Sequence, residues 1–156
     1  MEGSTLSFRV YNNDKPTKYG IKAYILADSN SVYYWNMDIY HQQKKAIKET
    51  VEGLLTNRCV GLWQSFYMDN YYNSVELSEA LLGQNIHTVG TLRCYRGEPP
   101  EIRNPRHIAR HNVIARGNGK VMVLAWKDKR IVKAISTKHD SSVCGSDLSF
   151  DVVCLK

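Results

Sequence analysis

Residues 60–68 form a mostly apolar run, Asp69-Asn70 ends it, and a helix signal follows within a few residues. Such a run is expected of a strand buried on both faces in an α/β sheet. An acid at the carboxyl end of that strand stands where open α/β sheets place ligands and chemistry. A carboxylate there offers hard oxygen to a divalent metal, or it caps the turn through its own backbone. Both readings are open from spacing alone.

The other chemistry-bearing groups are more scattered. His107 and His111 stand one helical turn apart, a spacing that can hold a metal. No acid or cysteine stands near them to complete a site, so they read as part of a basic surface. Cys59, Cys94, Cys144 and Cys154 form no CxxC pair, which argues against a zinc module and for a reducing, intracellular setting, nuclear or cytoplasmic. Nothing resembles a phosphate-binding glycine loop, a GxSxG elbow or an HExxH helix. Basic residues are the stronger pattern: residues 1–92 carry 8 Lys+Arg against 9 Asp+Glu, and residues 93–156 carry 13 against 6. A net charge of +6 concentrated in this way suggests a face for nucleic acid or another acidic partner. The candidate contacts are Arg93, Arg96, Arg103, Arg106, Arg110, Arg116, Lys127, Lys129 and Arg130.

These residues must be positioned by a mixed set of elements. Residues 1–7 read as a polar leader and 8–11 as a short strand. Residues 19–27 read as a longer strand that pairs, across the 28–31 turn, with a return arm at 32–37. Tyr33, Tyr34, Trp35 and Tyr40 suit cross-strand packing better than base stacking. From 43 to 55 the period becomes helical, with Ile47, Val51, Leu54 and Leu55 on the apolar stripe. After the strand that ends at Asp69, Asn73 or Ser74 caps a helix bearing Val75, Leu77, Leu81 and Leu82, with Glu76 placed as in a capping box and Gly83 as the stop. Residues 86–92 make a further strand. Between 94 and 119 lie three of the four prolines, five arginines and little apolar periodicity. A short helix over 102–111 would be interrupted by Pro105. Residues 120–126 and 130–136 alternate around Lys127-Asp128-Lys129 as a basic-tipped hairpin, and 150–155 suit a last strand.

The 156 residues, 43% apolar and 23% charged, suit one soluble domain with a sizeable core. No stretch is long and apolar enough for a membrane span, and no secretory signal opens the chain.

Four blocks resemble piggyBac-type transposases. Phe8-Arg9-Val10-Tyr11 with the segment from Asp14 to Lys22 is similar to their "FRxY…NKPxKxGIK" block. Met68-Asp69-Asn70-Tyr71-Tyr72-Asn73-Ser74 is similar to their "DNYYxS" motif. The segment from His87 to Arg93, then Trp126-Lys127-Asp128-Lys129-Arg130 with Ile135-Ser136-Thr137, resembles two downstream blocks. The likeness runs in unbroken order over roughly 8–140. It implies an α/β fold: a ribonuclease H-like mixed β-sheet flanked by helices, incomplete, with an inserted basic β-hairpin region. It divides the single domain into a leader (1–7), a core (8–93), a basic insertion-like region (94–140) and a tail (141–156).

The family's chemistry is DNA cleavage and strand transfer by acids that hold two Mg²⁺ ions, which need several hard oxygen ligands between them. Asp69 matches the second catalytic aspartate. The first belongs to a strand ahead of the "FRxY" block, where this sequence offers only Glu2. The third belongs to a "GGVD"-type block, where Gly145-Ser146-Asp147-Leu148 stands instead. The resemblance therefore implies a catalytically incomplete transposase-derived domain with Asp69 vestigial, no cofactor, and Mg²⁺ only if activity remains. The expected role is nucleic-acid binding through the basic second half. A regulator or viral accessory factor that grips a host protein through Trp35, Tyr40 or Tyr71 is the alternative. A residual nuclease using Asp69 with Asp28, Asp147 or Asp151 is the third. Without the first strand, the Asp69 strand needs cover from residues 146–154 or from a second copy in a homodimer.

Overall fold

The computed structural model describes residues 9–31, 33–41, 45–55, 61–105 and 108–140. They fall into two units, Met1–Thr56 and Asn57–Leu155. No helix among the described residues is long and apolar enough to cross a membrane.

In the first unit, β1 (Arg9–Tyr11) pairs antiparallel with β2 (Tyr19–Ile21), and β3 (Ala23–Ala27) with β4 (Tyr34–Ile39). The long strand expected over 19–27 is thus broken at Lys22, and its halves serve different hairpins. Lys22 holds its ammonium 4.8 Å from the Tyr24 ring centre and 5.7 Å from that of Tyr40. The Lys22 carbonyl accepts from the Tyr40 N–H at 2.9 Å, so the residue already belongs to the side of the second hairpin. Helix α1 (Ile47–Leu54) buries Thr50, Val51 and Leu54, and Tyr24 and Leu26 are the buried positions of β3. Asn36, paired with Leu26 across the hairpin, donates its side-chain amide to the carbonyls of Gly53 (3.4 Å) and Leu54 (3.1 Å). It thereby satisfies the last turn of the helix. The helix starts later than the sequence pattern suggests, and residues 42–44 lie outside the described residues.

The second unit contains a five-stranded sheet in the order β5-β6-β9-β8-β7. Strand β5 (Ser65–Met68) runs parallel to β6 (His87–Thr91), with α2 (Val75–Leu82) as the crossover between them. Strands β7 (Val113–Gly117), β8 (Met122–Lys127) and β9 (Ile131–Ser136) complete the sheet through antiparallel pairings. The short α3 (Pro100–Arg103) starts with proline at its first position, where a missing N–H costs nothing, and ends ahead of Pro105. The helix expected over 102–111 is therefore displaced towards Pro100. Strand β7 is absent from the sequence expectations: its five residues, Val-Ile-Ala-Arg-Gly, show half-buried Ile114 and Ala115 and no clean alternation.

Strand β5 is also shorter than its apolar run. Gly61 and Trp63 adopt positive φ of 84° and 51°, which ends the extended conformation before Ser65. Within β5 only Phe66 and Met68 are buried, while Ser65 and Tyr67 stay half-exposed. The strand expected to be buried on both faces stands at the margin of the sheet among the described residues.

Register places Met68, Gly90, Ile135 and Val123 in one row across the sheet. Val123 and Ile135 face the core formed with Leu92, Ile102, Ile108, Val121 and Ala125, against which Val75 of α2 packs. The described helices of this unit thus lie on one face of the sheet. Leu77 and Leu81 are fully enclosed, each contributing about 2 kcal/mol by burial. Ser74 caps α2 by accepting from the Leu77 N–H at 3.1 Å, worth about 1 kcal/mol.

Asn73 fastens the ends of β5 and β6. Its amide donates to the carbonyls of Met68 (2.8 Å) and Thr91 (2.9 Å). Gly90 leaves the space for this: a Cβ there would run into the Met68 carbonyl oxygen and come 2.5 Å from the Asn73 amide nitrogen. Gly90→Ala is expected to destabilise the second unit by about 3 kcal/mol, as overpacking does. Gly53→Ala, inside α1 with nothing within 4 Å of the added methyl, is expected to stabilise by about 0.5–1 kcal/mol. Thermal and denaturant unfolding of the two variants would show opposite signs.

Candidate functional site

Thr91 pairs with Ala134, Lys127 with Ile131, and Val113 with Trp126. The places where β5, β6 and β8 stop and β7 and β9 begin therefore share one end of the sheet. Asp69 follows β5 at that end. Its Oδ1 accepts from the Tyr71 N–H at 2.8 Å, and its carbonyl accepts from Tyr72 and Asn73 at 3.3 and 3.4 Å. Asp69 is thus the acceptor of an Asx turn, exposed on the surface.

The loop after β6 meets this turn. Arg93 donates its Nε to the Asn70 side-chain oxygen at 2.8 Å and lies 5.9 Å from the Tyr71 ring centre. Arg96 reaches the Tyr71 carbonyl at 3.5 Å. Next comes a tight turn, Tyr95-Arg96-Gly97-Glu98, with positive φ at Tyr95 (63°) and Gly97 (89°). A wholly enclosed carboxylate holds it: Glu98 accepts from the N–H of Tyr95 and of Arg96, each at 2.7 Å. The Arg96 carbonyl in turn accepts from the Val75 N–H at 2.9 Å, satisfying an orphan donor at the start of α2.

Glu98 is balanced by Lys133, buried on the inward side of β9, whose ammonium is 3.6 Å away. The same ammonium donates to the Arg103 carbonyl (2.7 Å) at the end of α3 and to Cys94 Sγ (3.1 Å). Arg103 adds a second cation 3.8 Å from the carboxylate. Burial alone would raise the Glu98 carboxyl, but the backbone N–H groups of Tyr95, Glu98 and Arg96, with the charge of Lys133, hold it below the usual carboxylate range.

The remaining predicted basic residues divide by register. Arg110 pairs with Asp128 at 3.5 Å, and the His111 N–H donates to the Lys127 carbonyl at 2.7 Å. With Lys129 and Arg130 at the β8–β9 tip, they lie at the same end of the sheet as Asp69, Arg93, Arg96 and Arg103. Arg116 does not: it pairs with Val123, away from that end, and donates to the Ala115 carbonyl at 2.9 Å. Arg106 and His107 lie outside the described residues, as do Glu2, Asp147, Asp151 and the strand expected over 150–155.

A pair of Mg²⁺ ions needs several carboxylate or carbonyl oxygens converging on one place. Among the described residues no three His, Cys, Asp or Glu side chains come together in that way. Asp69 presents one carboxylate, with one oxygen already engaged by the Tyr71 N–H. That donor set does not fit a metal pair. Asp28 caps its own turn in the first unit, with its carboxyl lowered chiefly by the Ser31 hydroxyl.

Glu98, Lys133 and Tyr95 are absent from the sequence expectations. One signal was available: Lys133 occupies an inward position in the alternation Ile131-Val132-Lys133-Ala134-Ile135, and a buried cation demands an acid. Nothing in the pattern says which acid.

Residues 3–152 match the family model described as Transposase IS4. The fold is also similar to the cryo-EM structure of a piggyBac transposase synaptic complex with hairpin DNA, with a TM-score of 0.77 and 27% identity over 89% of this chain. The chain spans 31% of that protein's chain. The mixed sheet and its helices are thus those of a ribonuclease H-like core of piggyBac type, as the sequence blocks imply.

The lowered Glu98 carboxyl carries a definite pH dependence. A carboxylate lowered by folding contributes stability that is complete above its unfolded pKa and is lost as pH falls through the folded value. The second unit is therefore expected to weaken below the ordinary carboxylate range. Glu98→Gln leaves Lys133 buried without its counter-charge and is expected to cost about 3 kcal/mol at pH 7, while flattening that acid limb. Denaturant titrations of parent and variant between neutral and acid pH check both.

Proposed function

The chain belongs to the Transposase IS4 family, with its likeness to piggyBac transposase, and from that premise we propose that it is a transposase-derived binding module for nucleic acid, without catalysis of its own. The observation that carries this reading is the basic end of the sheet: Arg93, Arg96 and Arg103, then Arg110, Lys127, Lys129 and Arg130, gathered by register where β5, β6 and β8 stop. Arginine is suited to such a surface, since its planar fork grips phosphate and stacks on rings. The related piggyBac structure contains hairpin DNA, which supports a polyanionic partner here. Asp69 contributes to the shape of the turn, and among the described residues it has no companion carboxylates of the kind two Mg²⁺ ions require.

Affinity from such contacts comes mostly from released counterions, so it falls steeply with salt. Binding of a labelled duplex is expected to weaken linearly on a logarithmic salt scale, with a slope of about −0.9 per phosphate contact. Replacing either Arg93 or Arg130 by Ala is expected to make that slope shallower by about 1, and Arg116→Ala to leave it unchanged. Salt-insensitive or undetectable binding would refute the reading. Incubation with Mg²⁺ or Mn²⁺ is expected to leave the DNA uncut; nicking that Asp69→Asn abolishes would establish the nuclease instead.

A further inference from the structure

Tyr95 has the conformation and exposure of a residue presented to a ligand. Its φ of 63° is left-handed, a conformation that costs a bulky residue of order 1 kcal/mol and persists only where the surroundings impose it. The surroundings here are the Glu98 carboxylate on the N–H groups of Tyr95 and Arg96, with Lys133 behind it. Yet the ring itself is 80% exposed, so it contributes little to the core. A buried ion pair and a strained turn thus hold an aromatic ring out in solvent. Arg103 lies 5.4 Å from its ring centre. Arg93 and Arg96, on the same loop, are tied to Asn70 and Tyr71.

We infer that Tyr95 is a stacking platform for an unpaired nucleobase, flanked by Arg93, Arg96 and Arg103 for the phosphates on either side. This rests on the nucleic-acid reading above and narrows it: the preferred partner is a single strand or an unpaired end, and not an intact duplex. The reason is access. Inside a duplex both faces of each base are covered by neighbours, whereas an unpaired base offers a free π-face, and every base has one. Stacking on an aromatic side chain is worth about 1–3 kcal/mol per base, enough to decide between the two forms of DNA. The contact is insensitive to base identity, so sequence preference is expected to be slight.

The test is fluorescence anisotropy of the full chain with a short labelled single strand and with the corresponding duplex, each at several salt concentrations. Tyr95→Ala is expected to weaken single-strand binding about tenfold, to leave duplex binding nearly unchanged, and to leave the salt slope unchanged, since no charge is removed. Tyr95→Asn, which tolerates the left-handed turn, is expected to behave like Tyr95→Ala, and Tyr95→Phe like the parent. The inference is overturned if Tyr95→Ala and Tyr95→Asn bind the single strand as the parent does, or if duplex affinity falls equally. In those cases the salt-dependent binding of the parent still stands. If the parent binds neither form of DNA, or Tyr95 engages an acidic protein instead, the nucleic-acid reading fails together with it.

Discussion

A carboxylate with no contact to solvent organises the second half of this protein. Glu98 fixes the 95–98 turn through two backbone N–H groups, and Lys133 brings the charge that makes its burial tolerable. Through Lys133 the same centre reaches the Arg103 carbonyl at the end of α3 and the Cys94 sulfur. Through the Arg96 carbonyl it reaches the start of α2. Two helices, a strand and the loop after β6 are thus tied to one ion pair. Such a pair adds little net stability over an apolar replacement of equal volume, yet removing one partner alone is costly. Its consequence here is placement: the arginines and Tyr95 are held at a fixed edge of the sheet.

The parts of this arrangement that depend on local pattern were legible. Helix α2 runs over Val75–Leu82 between the Ser74 cap and Gly83, as its periodicity and capping signals require. Strands β8 and β9 flank their basic tip, and Asp69 stands at the end of its strand. The parts that depend on distant partners were not legible. Strand β7 exists because β8 offers it an edge, and its own five residues barely alternate. The run over 19–27 is split at Lys22 because its two halves find different partners, β1 for the first and β4 for the second. Glu98 sits among prolines and arginines in a stretch without periodicity, and the strand that neutralises it lies far along the chain.

The same distinction bears on the site. Family blocks identify Asp69 and its neighbours by type and order, but chemistry with metal ions depends on how many oxygens converge. Among the described residues they do not converge on Asp69. What converges at that end of the sheet is positive charge and aromatic surface. An attraction for phosphate at that end would be spread over many side chains, so no single substitution is expected to remove it.

The most direct test is a map of the contact surface: amide chemical-shift changes in the isotopically labelled chain on titration with a short oligonucleotide. The account predicts that the changes centre on residues 69–71, 93–98, 110–112 and 127–130, and that they fade as salt is raised. Changes centred on residues 117–121, at the opposite end of the sheet, or the absence of any salt-dependent change, would contradict it.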